Sequence, residues 1–238
     1  MSRSFSILSH FFFLSLFFLL TVFLSSCGQQ EITKKLNEAE YFQSQKDVDS
    51  LLKAIDQYEE VVVLALEAME GSFEAQKLLG IELAFKKNYR RCADVLEKAR
   101  EMKTDDATLY YYLGLCYTHL ARGALDNQLK QVSVEKAKRS FQMGLEVNDK
   151  EPLLHYGMGV LLGFVVEDRD KAIEYLETSY QLDSEDVNVL FALANLYYQR
   201  GNSQQAASFY RKVIALRSED TQQGRQARKN LTALGQKP

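Results

Sequence analysis

Few side chains in this sequence could do chemistry, and they are scattered. Histidine suits acid–base work and metal binding, because its ring titrates near neutrality and its nitrogens ligate transition metals. Beyond the first 30 residues only His119 and His155 are present, and neither has a cysteine or carboxylate at ligand spacing within its own helical segment. A metal site needs such groups clustered. The run Gly157-Met158-Gly159-Val160-Leu161-Leu162-Gly163 looks at first like a dinucleotide loop, but its spacing is one residue too long and no strand precedes it. Close helix packing accounts better for these glycines. There is no Gly-rich Lys-Ser/Thr loop, no nucleophile elbow and no base placed for a triad. The carboxylates are dispersed along solvated faces. The expectation is a protein that is not an enzyme and holds no metal or cofactor.

Cysteine divides into two cases. Cys27 ends a patterned leader: Arg3, an apolar run from Phe11 to Leu24 broken only by Ser15 and Thr21, then Leu24-Ser25-Ser26-Cys27. A run of 14 residues is short for a bilayer span, which takes roughly 20; it suits the apolar core of a signal peptide. The segment resembles a bacterial lipobox. That resemblance implies removal of residues 1–26, acylation of Cys27, and a short lipidated tether over 27–30. Gly28 in place of Asp after the cysteine implies the outer membrane where the host has one. The alternative is an uncleaved anchor lengthened by Phe5, Ile7 and Leu8. Either way the body is expected in the cell envelope, facing the periplasm. Cys92 and Cys116 fall at interior positions of different helical segments. Export would permit a disulfide, but they are expected to serve as small buried hydrophobes. Without residues 1–26 the chain has 28 basic against 32 acidic residues, a balance that argues against nucleic acid as a partner.

The elements that must position these residues read as helices. Apolar residues recur at spacings of three and four nearly throughout, and no stretch alternates long enough for a sheet. Polar joints at Thr104-Asp105-Asp106, Asn148-Asp149-Lys150, Asp183-Ser184-Glu185-Asp186 and Ser218-Glu219-Asp220 suit helix N-caps and turns. One pair of residues then recurs: Leu79-Gly80, Leu113-Gly114, Met158-Gly159 and Leu193-Ala194, at steps of 34, 34 plus 11, and 34 plus 1. A period near 34 without strands indicates stacked helical hairpins. The clearest unit has Leu190, Leu193, Ala194 and Tyr197 on a first helix, a turn at Gly201-Asn202, and Ala206, Tyr210 and Val213 on a second. These anchors, repeated with small variations in the three units before it, resemble the tetratricopeptide repeat.

The resemblance implies an all-α fold, a right-handed solenoid of antiparallel helix pairs. The expected organisation is a degenerate N-terminal hairpin over 31–72, repeats over 73–104, 107–149, 152–184 and 187–218, and a capping helix and tail over 219–238. Within the degenerate hairpin, Val61-Val62-Val63-Leu64 is expected to be a buried cap interface. The extra 11 residues of the second repeat are expected as a polar loop within Ala121 to Val134. In this family the first helices line a concave binding face. The residues assigned to it are Lys77, Phe85, Tyr111, Tyr112, Leu115, His119, Tyr156, Phe164, Phe191, Asn195 and Tyr198, with Ile81, Thr108 and Val160 beside them. Tyrosine-rich lining suits protein recognition. Only Lys77 and Asn195 fit the family's carboxylate clamp, and they are far apart, so a clamp is not expected. The implied function is a scaffold or adaptor that docks a helix or extended segment of another envelope protein. The alternative is a carrier for an apolar small ligand, which would need an enclosed pocket. Self-association through the N-terminal hairpin is left open.

Overall fold

The computed structural model describes residues 28–218 and 220–235. Among them every regular element is a helix: α1 (28–45), α2 (Val48–Phe85), α3 (Tyr89–Met102), α4 (Ala107–Gly123), α5 (Asn127–Val147), α6 (Pro152–Leu161), α7 (Arg169–Leu182), α8 (Val187–Gln199), α9 (Ser203–Arg217) and α10 (Gln222–Ala233). A π-helical turn, Leu162–Val166, extends α6. Cys27 and the leader lie outside the described residues. The chain divides into two compact units after Gly71. No helix among the described residues is long and apolar enough to cross a membrane.

In the first unit α1 lies against α2, with Ala39 and Ala54 buried between them. Tyr58 donates from its hydroxyl to Gln43, and Lys35 pairs with Glu60. The second unit is the repeat array. Its pairs are α2–α3, where Leu96 packs on Gly80, and α4–α5, α6–α7 and α8–α9, with α10 against α9. This is a tetratricopeptide-type all-α stack. Two of the polar joints supply N-caps as their sequence suggests: Asp106 accepts from Leu109 N–H and Asp186 from Asn188. After the other two the caps are Glu151 and Thr221, and Asp126, Asp168 and Asn202 cap the remaining helix starts, accepting from Leu129, Lys171 and Gln205. Each such cap stabilises its helix start by about 1 kcal/mol.

Small residues set the helix spacing. A methyl added at Gly114 would sit 2.5 Å from the Phe141 ring, and one at Gly159 would sit 2.6 Å from Leu176 Cγ. Leu113, Met158 and Leu193 are buried beside them. One hydrogen bond recurs between successive pairs: Tyr117 donates to Glu97, and 80 residues later Tyr197 donates to Glu177.

Five expectations need correction. Cys92 and Cys116 are joined by a disulfide, with their Cα atoms 6.4 Å apart. Spacing along the chain could not show this, because the two residues meet only where α3 of one pair crosses α4 of the next. The extra residues of the second repeat are helical, not a loop. α5 has 21 residues against 14 in α7, α4 has 17 against 13 in α8, and only Ala124 to Asp126 connects them. Nothing breaks α2 at residue 72. Ser72 does not cap there; its hydroxyl accepts from Gln76 within the same helix. Finally, Leu79 is 47% exposed. Its counterparts are covered by the second helix of the preceding pair, and α2–α3 begins the array. Val62 and Val63, assigned to a buried interface, are exposed as well.

Candidate functional site

The first helices of the array bring most of the assigned aromatic residues into one trail. Phe85 at the end of α2 stands 70% exposed, its ring 6.2 Å from Tyr112 on α4. Tyr112 meets Tyr111 edge-on at 5.1 Å. Burial pushes the Tyr111 hydroxyl well above its usual range, with Tyr156, Tyr112 and Asp186 adding to the effect. Tyr156 on α6 is raised likewise, by burial and then by Asp186. Both phenols are therefore neutral donors at any physiological pH.

The trail ends in a concavity of about 290 Å³ lined by Arg122, Tyr156, Val160, Phe164, Asn188, Phe191, Ala192 and Asn195. Four of these were assigned to the groove from sequence, with Val160 beside them. Arg122, Asn188 and Ala192 were not. Arg122 closes the last turn of α4, where the helix extension carries it outward; a register counted only from the repeat anchors stops short of it. Phe164 reaches the concavity from the π-helical turn. The i→i+5 spacing there is visible in the Glu167 N–H, which donates to the Leu162 carbonyl; the Asp168 N–H donates to the same oxygen. π-Turns often mark functional positions because they re-aim a side chain without ending the helix. The sequence carries the signal: the step from Gly159 to Ala194 is one residue longer than 34.

The polar lining is partly committed. Asn195 Oδ1 accepts from the Tyr210 hydroxyl at 2.7 Å, which leaves its amide N–H groups for a ligand. Phe191 packs edge-on against Tyr210 at 5.9 Å. Asn188 offers an amide beside it.

Four assigned residues lie elsewhere. Lys77 is 2.8 Å from Asp106 and 2.7 Å from Glu74, over the Phe73 ring, so its ammonium serves the start of α4 and not a ligand. Burial alone would raise the Asp106 carboxyl, but Lys77 and Leu109 N–H hold it below the usual carboxylate range. His119 stacks flat on Tyr89 at 4.1 Å. Burial, then Arg122 and Lys87, lower its pKa and keep it neutral. Leu115 packs against the core. Tyr198, 55% exposed, continues the Phe191–Asn195 face of α8 without lining the concavity. His155 bonds the carbonyl of Asp149 through Nε2 at 2.7 Å and ties the preceding joint to α6. Among the described residues no three His, Cys, Asp or Glu side chains gather to hold a metal.

The first helices of this stack of helix pairs thus present a face of aromatic rings and side-chain amides. Residues 167–231 match the family model described as tetratricopeptide repeat. No curated protein matches the chain. Among solved structures the chain is similar to a thermophilic tetratricopeptide repeat protein of Thermus thermophilus, at 19% identity over 85% of this chain and 98% of that one, TM-score 0.61. It is similar to MamA of Desulfovibrio magneticus at 18% identity over 80% and 98%, TM-score 0.52. Pseudomonas aeruginosa pilF matches at 15% identity over 70% and 72%, TM-score 0.55. At these identities the likeness shows the fold.

Proposed function

We propose that this protein is a lipid-tethered adaptor of the bacterial cell envelope. It docks a helix or extended segment of another envelope protein against the first-helix face of its repeats. The observation that carries the reading is the concavity of Arg122, Tyr156, Phe164, Asn188, Phe191 and Asn195. Rings supply apolar area with little entropy to lose, and the amides and the guanidinium supply hydrogen bonds at its edge. An apolar-ligand carrier needs an enclosed pocket; this concavity opens to solvent. The mixed lining favours a polypeptide.

Two observations support the location. The leader pattern ending at Cys27 is that of an acylated exported protein. The Cys92–Cys116 disulfide fits an oxidising compartment, because cytosolic thiols are kept reduced. The test is capture of partners from the protein's own membranes by wild type and by Arg122→Ala/Phe164→Ala. The expected result is one envelope protein recovered with wild type and lost with the variant. Equal recovery by both would remove the groove assignment. Cys27→Ser should release the protein from the membrane fraction and abolish the acyl mass; a variant that stays membrane-bound would count against lipidation.

A further inference from the structure

α2 has a second face that the docking groove does not use. Val48, Leu52, Ile55, Val62, Leu66 and Met69, with Glu59 completing the series, recur at alternating spacings of four and three. That is the period of a two-stranded coiled-coil seam, in which such residues interlock with a facing helix. The six apolar side chains are between 51% and 73% exposed. They are not the outer edge of the hairpin core. α1 packs on the other side of α2, against Ala54, Tyr58 and Glu60. The next position in the series, Phe73, is buried in the repeat array, so the stripe ends where the repeats begin.

We propose that Val48–Met69 is a parallel, in-register coiled-coil seam through which two copies of this chain dimerise. Three features select a second copy. The period is held over three heptads, which only another helix of the same pitch satisfies along its length. The flanks fit parallel pairing: one carries Asp49, Asp56 and Glu70 with Val63 among them, and the other carries uncharged Leu51, Tyr58 and Ala65. In a parallel pair each acidic flank meets the uncharged flank of the other copy, whereas antiparallel pairing would set Asp49 against Glu70. Like charges so placed are what flanking positions are arranged to avoid. The six side chains also offer on the order of 500 Å² from each copy, which reaches the roughly 1,000 Å² that a specific interface requires. In this register Glu59 meets Glu59 of the other copy in mid-seam; that single like-charge contact costs stability, against the two Asp49–Glu70 contacts that an antiparallel pair would make.

The test uses the full chain in detergent. Under mild oxidation Ile55→Cys should form a disulfide-linked dimer, because position 55 faces its own copy only in the parallel register. Glu67→Cys, which points away from the seam, should give no more dimer than wild type. In sedimentation equilibrium Leu66→Glu should yield monomer, and Glu59→Leu should tighten the dimer by about tenfold or more. Glu59→Leu guards against misreading an unfolded Leu66→Glu variant, since it needs a gain. Wild type that stays monomeric at tens of micromolar would overturn the proposal. So would Ile55→Cys linking only to a second chain bearing Leu66→Cys, its neighbour in the antiparallel register, or Glu59→Leu leaving the dissociation constant unchanged.

Discussion

Phe141 shows how much of the stack rests on side chains that are absent. Its ring fills the space that a methyl on Gly114 or on Gly157 would occupy, at 2.5 Å and 2.7 Å from ring carbons. Gly114→Ala should therefore cost about 1–3 kcal/mol, as overpacking of a tight core does. Gly123→Ala, with nothing within 4 Å, should be neutral or slightly stabilising; paired urea melts check both. His119 makes a second prediction. Its folded pKa lies below the ordinary 6.5, so the folded chain binds fewer protons than the unfolded one. Stability from this group is full above pH 6.5 and declines as pH falls from there through the lowered folded value. His119→Gln should remove that slope from denaturation measured between pH 7 and 5. Residue positions were readable from the sequence where they followed the repeat period: Tyr156, Phe164 and Phe191 line one concavity. They were not readable where a neighbouring element claims the side chain: Asp106 claims Lys77 and Tyr89 claims His119.

Helices tolerate insertions best in whole turns, and the second repeat shows this. Four residues in α4 and seven in α5 approximate one and two turns at 3.6 residues each, so Leu113-Gly114 and Phe141 keep their faces. The polar composition of 121–134 suggested a loop because a solvated helix extension and a loop have similar composition. The one-residue surplus in the next repeat cannot make a turn, and it appears as the π-helical turn. Deleting Val166 should restore the 34-residue step, leave the melting temperature within a few degrees, and withdraw Phe164 from the concavity. The sign to look for is lost partner capture with an unchanged helical spectrum. The disulfide belongs to this scale too, since it links α3 to α4 over a sequence separation of 24. Cys92→Ala/Cys116→Ala should cost about 3 kcal/mol, which a thermal melt would register as a fall of about 10 °C.

In the repeat array each helix meets little beyond its immediate neighbours, so stability is local and sums along the array. Hydrogen exchange should be fastest in α1 and α10 and slowest in α4 to α8, where Leu113, Leu161, Leu193 and Leu196 are fully enclosed. Uniform protection along the chain would contradict that picture. The repeat architecture was readable because its period is long and its anchors are specific. The continuity of α2 was not, because a helix that ends at a hairpin boundary and one that runs on share the same three-and-four spacing where no Pro or cap intervenes.

A linear stack also has a response to tension. A chain drawn from its N-terminus would peel helix by helix, each pair lengthening the thread. The Cys92–Cys116 bond closes the path between α3 and α4, so the segment between them stays slack while the load passes through sulfur. Under an optical trap the oxidised chain should come to full extension about 80 Å shorter than the reduced one, as 24 residues at the reach of an extended backbone require. Oxidation thus sets a length at which the first crossing of the array stops yielding.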